Sequence, residues 1–126
     1  MGSRNTIESQ MADILKEVAA NIDEAIEEGL KVAPKLCTQQ LRANSPKKSG
    51  DYAKGWRIKR ENKGLKTATV YNATMPGLTH LLEKGHVIRN KKGEYGRAPA
   101  HPHMKPAEEA AVKLFEETIS RKTDNL

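Results

Sequence analysis

The apolar residues in the first third of the chain recur every three or four positions. They are Ile7, Met11, Ile14, Leu15, Val18, Ile22, Ile26, Leu30, Ala33, Leu36 and Cys37. This spacing predicts an amphipathic helix from about Thr6 to Arg42, with Asn5 or Thr6 as its N-cap. Pro34 interrupts the run, and an interior proline removes one backbone hydrogen bond. The sequence therefore predicts a kink near Gly29–Pro34, or two helices that meet there.

The predicted helix is long for a small protein. At 1.5 Å per residue it would extend about 50 Å, which is more than the width of a domain of this size. The rest of the chain offers few apolar residues to cover so long a stripe. We therefore expect part of this helix to lie along a partner or to project, although an ordinary helix packed on a sheet would show the same periodicity.

The middle of the chain alternates between apolar and basic residues. In Trp56–Arg60 this alternation predicts a strand with one buried face. After a turn at Glu61–Gly64, the β-branched residues of Leu65–Asn72 predict the return strand of a hairpin. His86–Arg89 is expected to form a further short strand of the same antiparallel sheet.

Two more helices are predicted downstream. Leu78–Glu83 has leucines on one side and precedes Gly85, which suits the residue after a helix. Pro106 suits a first helical position, and the apolar spacing continues from there to Arg121. Between these helices, Asn90–Arg97 is predicted to be a basic loop, and Ala98–Lys105 is expected to run between the sheet and the last helix.

These elements predict a single α+β domain over residues 1–126. A long N-terminal helix occupies residues 1–44, a small sheet with loops and a short helix occupies residues 45–105, and a C-terminal helix occupies residues 106–122. Both long helices are expected to pack on the antiparallel sheet. The candidate core residues are Trp56, Tyr71, Leu81, Leu82 and Phe115.

The net charge of +6 is unevenly distributed along the chain. Residues 1–30 contain seven acidic and two basic residues, residues 31–105 contain four and seventeen, and residues 106–126 contain five and three. The basic middle could face a nucleic-acid backbone, or it could meet the acidic helix of a neighbouring copy. A solvated charged surface is the third interpretation. The candidate assembly or polyanion contacts are Lys47, Lys48, Lys91, Lys92 and Arg97, in the loops Ser45–Asp51 and Asn90–Arg97.

Composition limits the environment in which the chain works. Cys37 is the only cysteine, so no intrachain disulfide can form and a reducing compartment is expected. No segment approaches the roughly 20 apolar residues of a membrane span, and no signal peptide is recognisable. We expect a soluble protein that does not contact a membrane.

The residues suggest no definite chemistry. His101 and His103 flank Pro102, but they lack the cysteine or carboxylate partners of a closed zinc set, so no metal or cofactor is predicted. A toxin-like ribonuclease would use His80, His86, Arg97 and Lys105 for acid–base chemistry and phosphate stabilisation. No motif fixes a nucleophile, base and oxyanion partner together, so no catalytic residue is predicted. Nucleic-acid binding without catalysis is the stronger alternative, although few aromatic residues accompany the basic ones.

Three segments, taken in order, resemble a known family. They are Ala43–Trp56, the Tyr-Asn and His-Leu-Leu-Glu-Lys-Gly-His motifs within Val70–His86, and the Pro-Ala-His-Pro-His-Met-Lys-Pro-Ala segment Pro99–Ala107. Together they resemble the minor tail components, or tail-completion proteins, of tailed bacteriophages, which are encoded with the head–tail joining genes. Two positions depart from the family pattern: Gly55 stands where serine is commoner, and His101 where arginine is commoner.

The resemblance implies a function without catalysis. It implies a structural virion protein of a tailed phage or prophage that completes the tail or joins it to the head at the neck. The implied partners are other copies of the chain in a ring, other neck and tail proteins, and possible contact with DNA. The implied location is the virion, and the bacterial host cytoplasm during assembly. The alternative is a small basic nucleic-acid-binding protein.

Overall fold

A computed structural model of the chain describes residues 6–47, 50–90 and 93–124, with the backbone alone for several residues between 86 and 98. Eight elements follow in order. They are α1 (Ile7–Asn44), α2 (Asp51–Lys54), β1 (Trp56–Glu61), β2 (Thr67–Asn72), α3 (Leu78–Lys84), β3 (His86–Asn90), β4 (Gly93–Ala98) and α4 (Met104–Thr123). The α+β architecture agrees with the sequence prediction.

Helix α1 is a single helix of 38 residues that continues through Pro34. Thr6 caps its start by accepting a hydrogen bond from the Ser9 amide at 3.1 Å. The alternative of two helices meeting near Pro34 was therefore wrong. Proline leaves the carbonyl four residues earlier without its helical donor. That carbonyl belongs to Leu30, and the Arg60 guanidinium in β1 donates a hydrogen bond to it at 2.5 Å.

Helix α4 runs back along the C-terminal half of α1. Ala107 packs with Cys37 and Leu41 in the core, and Phe115 lies against Gly29. A Cβ atom at Gly29 would come within 2.6 Å of the Phe115 ring, so only glycine lets the two helices approach this closely.

The strands form two separate two-stranded sheets within the described residues. β1 and β2 pair antiparallel, with Trp56 opposite Asn72 and Ile58 opposite Val70 on the face toward α1. β3 pairs with β4, so the prediction that His86–Arg89 joins the first sheet was wrong. Much of the predicted loop Asn90–Arg97 is strand instead. Gly93 and Gly96 adopt positive φ, and a register shift at Ile88/Arg89 adjusts the pairing.

The core is centred where α1, α2, β1 and α4 meet. Its buried members are Cys37, Leu41, Tyr52, Trp56 and Ala107, and Leu82 packs against them. Phe115 is half-buried between the helices. The prediction of core positions was wrong for Tyr71 and Leu81, which are 43% and 44% exposed. Tyr71 alternates with the inward-facing Val70 and Asn72 in β2, and Leu78 and Leu82 form the inner side of α3.

Helix α4 begins at Met104, two residues before the predicted start at Pro106. Pro106 is still within the first turn, where its missing N–H would have no helical partner anyway. The earlier start depends on a carboxylate from α3, which is part of the site below.

Candidate functional site

A buried polar network connects the three segments that carry the family resemblance. At its centre is the His103 ring, which is 1% exposed. Its Nε2 lies 2.7 Å from the Tyr52 hydroxyl, and its Nδ1 lies 2.7 Å from Glu83 Oε1 and 2.9 Å from the His101 carbonyl. When Nδ1 carries the proton, Nε2 accepts from Tyr52, whose oxygen can in turn accept from Thr79 at 3.0 Å.

Glu83 forms the cap of α4 from a distant part of the chain. Its Oε1 accepts the backbone amides of His103 and Met104 at 2.6 and 2.7 Å, and its Oε2 accepts that of Lys105 at 3.4 Å. Burial alone would raise the pKa of Glu83, but the three amide donors, with the electrostatic effect of the nearby His103 ring, outweigh burial and hold this pKa below its usual value. A carboxylate at this end also complements the helix dipole.

A second group of hydrogen bonds lies at the C-terminal end of α1. The Ser45 hydroxyl donates to the Leu41 carbonyl and accepts from Trp56 Nε1 at 2.9 Å. Arg42 donates to the Trp56 carbonyl at 3.1 Å. The indole is thereby fixed against the end of α1, with its ring in edge contact with those of Tyr52 and His103.

Asn72 links the hairpin to the following turn. Its side-chain amide donates to the Tyr52 carbonyl at 2.8 Å, and its oxygen accepts the amides of Thr74 and Met75 at 3.2 and 2.8 Å. Gly55 packs directly beside this group, since a Cβ there would lie 2.5 Å from Thr74 Oγ1. The departure from serine at Gly55 therefore matches the tight local packing.

This network fixes segments relative to one another and does not expose a reactive group. Both ring nitrogens of His103 have protein partners, and the buried ring is out of reach of a substrate. Of the ribonuclease candidates, His80 and Lys105 are exposed on different helices. The side chains of His86 and Arg97 lie outside the described part of the structure. Among the described residues, no three His, Cys, Asp or Glu side chains are grouped to hold a metal ion.

A basic groove lies beside the network on the outer surface. It consists of two depressions of about 260 and 340 Å³ that share Arg42. Its cations are Lys35, Arg42, Lys47, Lys54 and Arg57, and its apolar lining includes Ile58 in one depression and Ala53 in the other. Arg57 is held in place by the carbonyls of Lys54 and Trp56, at 2.7 and 3.0 Å. No carboxylate is among the described residues that line it.

The N-terminal half of α1 has an apolar surface, in contrast to the basic groove. Large apolar side chains face solvent there, with Ile7 75%, Met11 57%, Ile14 59% and Leu15 66% exposed. We call this set, with Val18 and Ile22, the uncovered stripe. Further along the helix Ala25 and Gly29 are buried, and Gly29 packs against Phe115 of α4, so the stripe lies on the N-terminal side of this packed region.

The predicted contact residues are only partly within the described structure. Lys47 is exposed and lines the basic groove. Lys48, Lys91 and Lys92 lie outside the described residues, as does the side chain of Arg97. Tyr52, Glu83 and His103 each belong to one of the three sequence motifs, but the sequence does not show that they contact one another. The sequence signal that could have indicated this network is the recurrence of polar residues between apolar ones in all three segments.

A family model matches residues 9–85 of the chain and is described as "Bacteriophage HK97-gp10, putative tail-component". The chain belongs to the HK97-gp10-like family. The match spans α1, the β1–β2 hairpin and α3, and it ends just after Glu83, whose carboxylate binds residues beyond the matched range. The family indicates a bacteriophage tail component. No curated protein and no solved structure matches the chain.

Within the described residues, no helix has the length and hydropathy needed to span a membrane.

Proposed function

We propose that the chain is a non-enzymatic structural protein of a tailed-phage or prophage virion, which completes the tail or joins it to the head at the neck. In this role it assembles with other copies into a ring and contacts other neck and tail proteins. The observation that carries the proposal is the uncovered stripe. A surface row of large apolar side chains is typical of a protein–protein contact.

Two further features support an assembly role. The family is one of tail components, and the buried network serves to fix the body of the molecule rather than to react. A rigid body with one projecting helix suits a subunit that must present the same contact to each neighbour. Cyclic assemblies repeat such contacts until the rotation closes.

The test removes the coding sequence from the phage or prophage that carries it. Electron microscopy of the lysate should show heads and tails that remain separate, and expression of the intact chain should restore joined particles. Mass spectrometry of those purified particles should detect the chain. Infectious, fully joined particles formed without the chain would overturn the proposal.

Nucleic-acid binding is a second candidate, because the basic groove could face phosphates. Native mass spectrometry at low and moderate salt, with and without a short DNA duplex, separates the two. A discrete oligomer that is indifferent to DNA supports assembly. A monomer that binds the duplex with steep salt dependence supports the second candidate.

A further inference from the structure

The segment of α1 that carries the uncovered stripe is acidic, and the basic groove is complementary to it in charge. Residues 7–28 of α1 include seven acidic residues and one basic residue. Glu8, Asp13 and Glu17 are exposed on the segment that bears the stripe. The groove offers five cations, with one apolar side chain beside them in each depression, Ile58 and Ala53. At about 100° per residue, Glu8 and Glu17 lie on either side of the stripe, whereas Asp13 lies on the opposite face of the helix. An amphipathic helix with carboxylates beside its apolar stripe suits a groove lined by cations.

The two surfaces cannot meet within one chain. Lys35 and Arg42 of the groove lie on the same continuous helix as the stripe. At 1.5 Å per residue, Leu15 and Arg42 are about 40 Å apart along that helix. Any contact between the stripe and a groove must therefore join two molecules.

We propose that Ile7–Ile22 of one copy docks in the basic groove of a second copy. This inference rests on the proposed assembly function and names its contact surfaces. Each docked pair leaves one stripe and one groove free, so the contact is head-to-tail and can be repeated around a ring. Pairing of two stripes would instead bring two acidic helices together, which like-charge repulsion disfavours.

The experiment uses two variants of the full chain that each lose one surface. The groove variant reverses three exposed lysines, as Lys35→Glu/Lys47→Glu/Lys54→Glu. The stripe variant is Met11→Ser/Ile14→Ser/Leu15→Ser. All six positions are exposed in the structure, so the substitutions leave the buried core intact. Circular dichroism and the fluorescence of the single tryptophan, Trp56, verify that each variant is folded.

Native mass spectrometry at low salt then gives the oligomeric state. Wild-type chain should form oligomers that weaken as salt rises, because the contact includes exposed charges. Each variant alone should be monomeric. An equimolar mixture should form a 1:1 heterodimer and nothing larger, since the stripe of one variant and the groove of the other remain intact.

Matched controls change the same kind of residue elsewhere. Lys63→Glu/Lys113→Glu/Lys122→Glu makes the same charge reversal at exposed sites outside the groove. Gln10→Ser/Ala12→Ser/Ala20→Ser changes exposed positions of the same helix that are off the stripe. Both controls should assemble as the wild-type chain does.

Several results would overturn the docking proposal. These are wild-type chain that stays monomeric, a groove variant that assembles normally, and a mixture without heterodimers. None of them affects the particle-joining test above, so a failure of this contact can be told apart from a failure of the proposed function. If the deletion prevents joining of heads and tails but both variants assemble normally, the proposed function stands. The contact between subunits then lies elsewhere on the molecule.

Discussion

Glu83 is the residue through which three parts of the chain depend on one another. It belongs to α3, it accepts the first amides of α4, and it contacts the His103 ring that also binds Tyr52. Its side chain is 17% exposed, so water replaces this acceptor poorly when the carboxylate is removed. A single substitution of Glu83 should therefore affect the stability of both α3 and α4.

Glu83→Gln should lower the free energy of unfolding by about 1–2 kcal/mol, because the charged acceptor of the α4 amides is lost. The matched control, Glu109→Gln, changes an exposed carboxylate on α4 and should have little effect. Urea denaturation followed by Trp56 fluorescence measures both. Equal stability of the two variants would contradict the capping role.

The pH dependence follows from the lowered pKa of Glu83. A carboxylate whose pKa is lower in the folded state contributes stability that is full above its unfolded pKa, about 4.3. That contribution is lost as the pH falls through the lower, folded pKa. Wild-type stability should therefore decline on acidification below about pH 4.3, and the Glu83→Gln profile should be flatter there. Parallel profiles for the two proteins would refute this.

At the scale of elements, α1 shows how a proline is accommodated within a long helix. The Leu30 carbonyl, which lacks its helical donor because of Pro34, receives the Arg60 guanidinium from β1. Nearby, Lys66 pairs with Glu27, and this contact raises the pKa of Lys66. The β1–β2 hairpin is thus bonded to α1 near the position where Pro34 removes one helical hydrogen bond.

A double-mutant cycle tests this compensation. Arg60→Met should destabilise the wild-type chain, because the Leu30 carbonyl loses its donor. In a Pro34→Ala background the helix supplies that donor itself, so Arg60→Met should cost less. We expect a coupling energy of about 0.5–1.5 kcal/mol from thermal or urea unfolding. Arg57→Met, on the other face of β1, is the comparison and should show no coupling to Pro34→Ala.

At the scale of the whole molecule, α1 has two halves in different environments. Gly29, Cys37 and Leu41 lie under α4 or in the core, whereas Ile7–Leu15 have no covering element in the described structure. Burial also raises the pKa of Cys37, with the charge of Glu108 adding to the effect. One half of the helix is therefore part of a packed body, and the other is available for contact.

Hydrogen exchange of the monomer should reveal this division. Amides of residues 11–22 should exchange at least about tenfold faster than those of residues 33–41, because helical hydrogen bonds without tertiary packing open readily. The covered half of the same helix is the internal control. Mass-spectrometric exchange with peptide resolution gives both rates in one sample. Uniform protection along α1 would contradict the division.

Much of the fold was predictable because its signals are local. The periodicity of α1, the alternation in Trp56–Arg60 and the apolar spacing of the last helix each depend on neighbours a few residues away. The candidate site was harder to predict from the sequence, because Ser45, Glu83 and His103 are far apart in the chain. They show no common pattern until the fold brings them together.

Local spacing and composition were enough to predict the α+β class, the long first helix and the asymmetry of charge. Three features became known from the folded structure: α1 passes unbroken through Pro34, β3 pairs with β4, and Glu83 starts α4 two residues before Pro106. The first and the third depend on a hydrogen-bond donor or acceptor from a distant segment, Arg60 for α1 and Glu83 for α4. Local sequence cannot specify such a partner, because it becomes a neighbour only when the chain has folded.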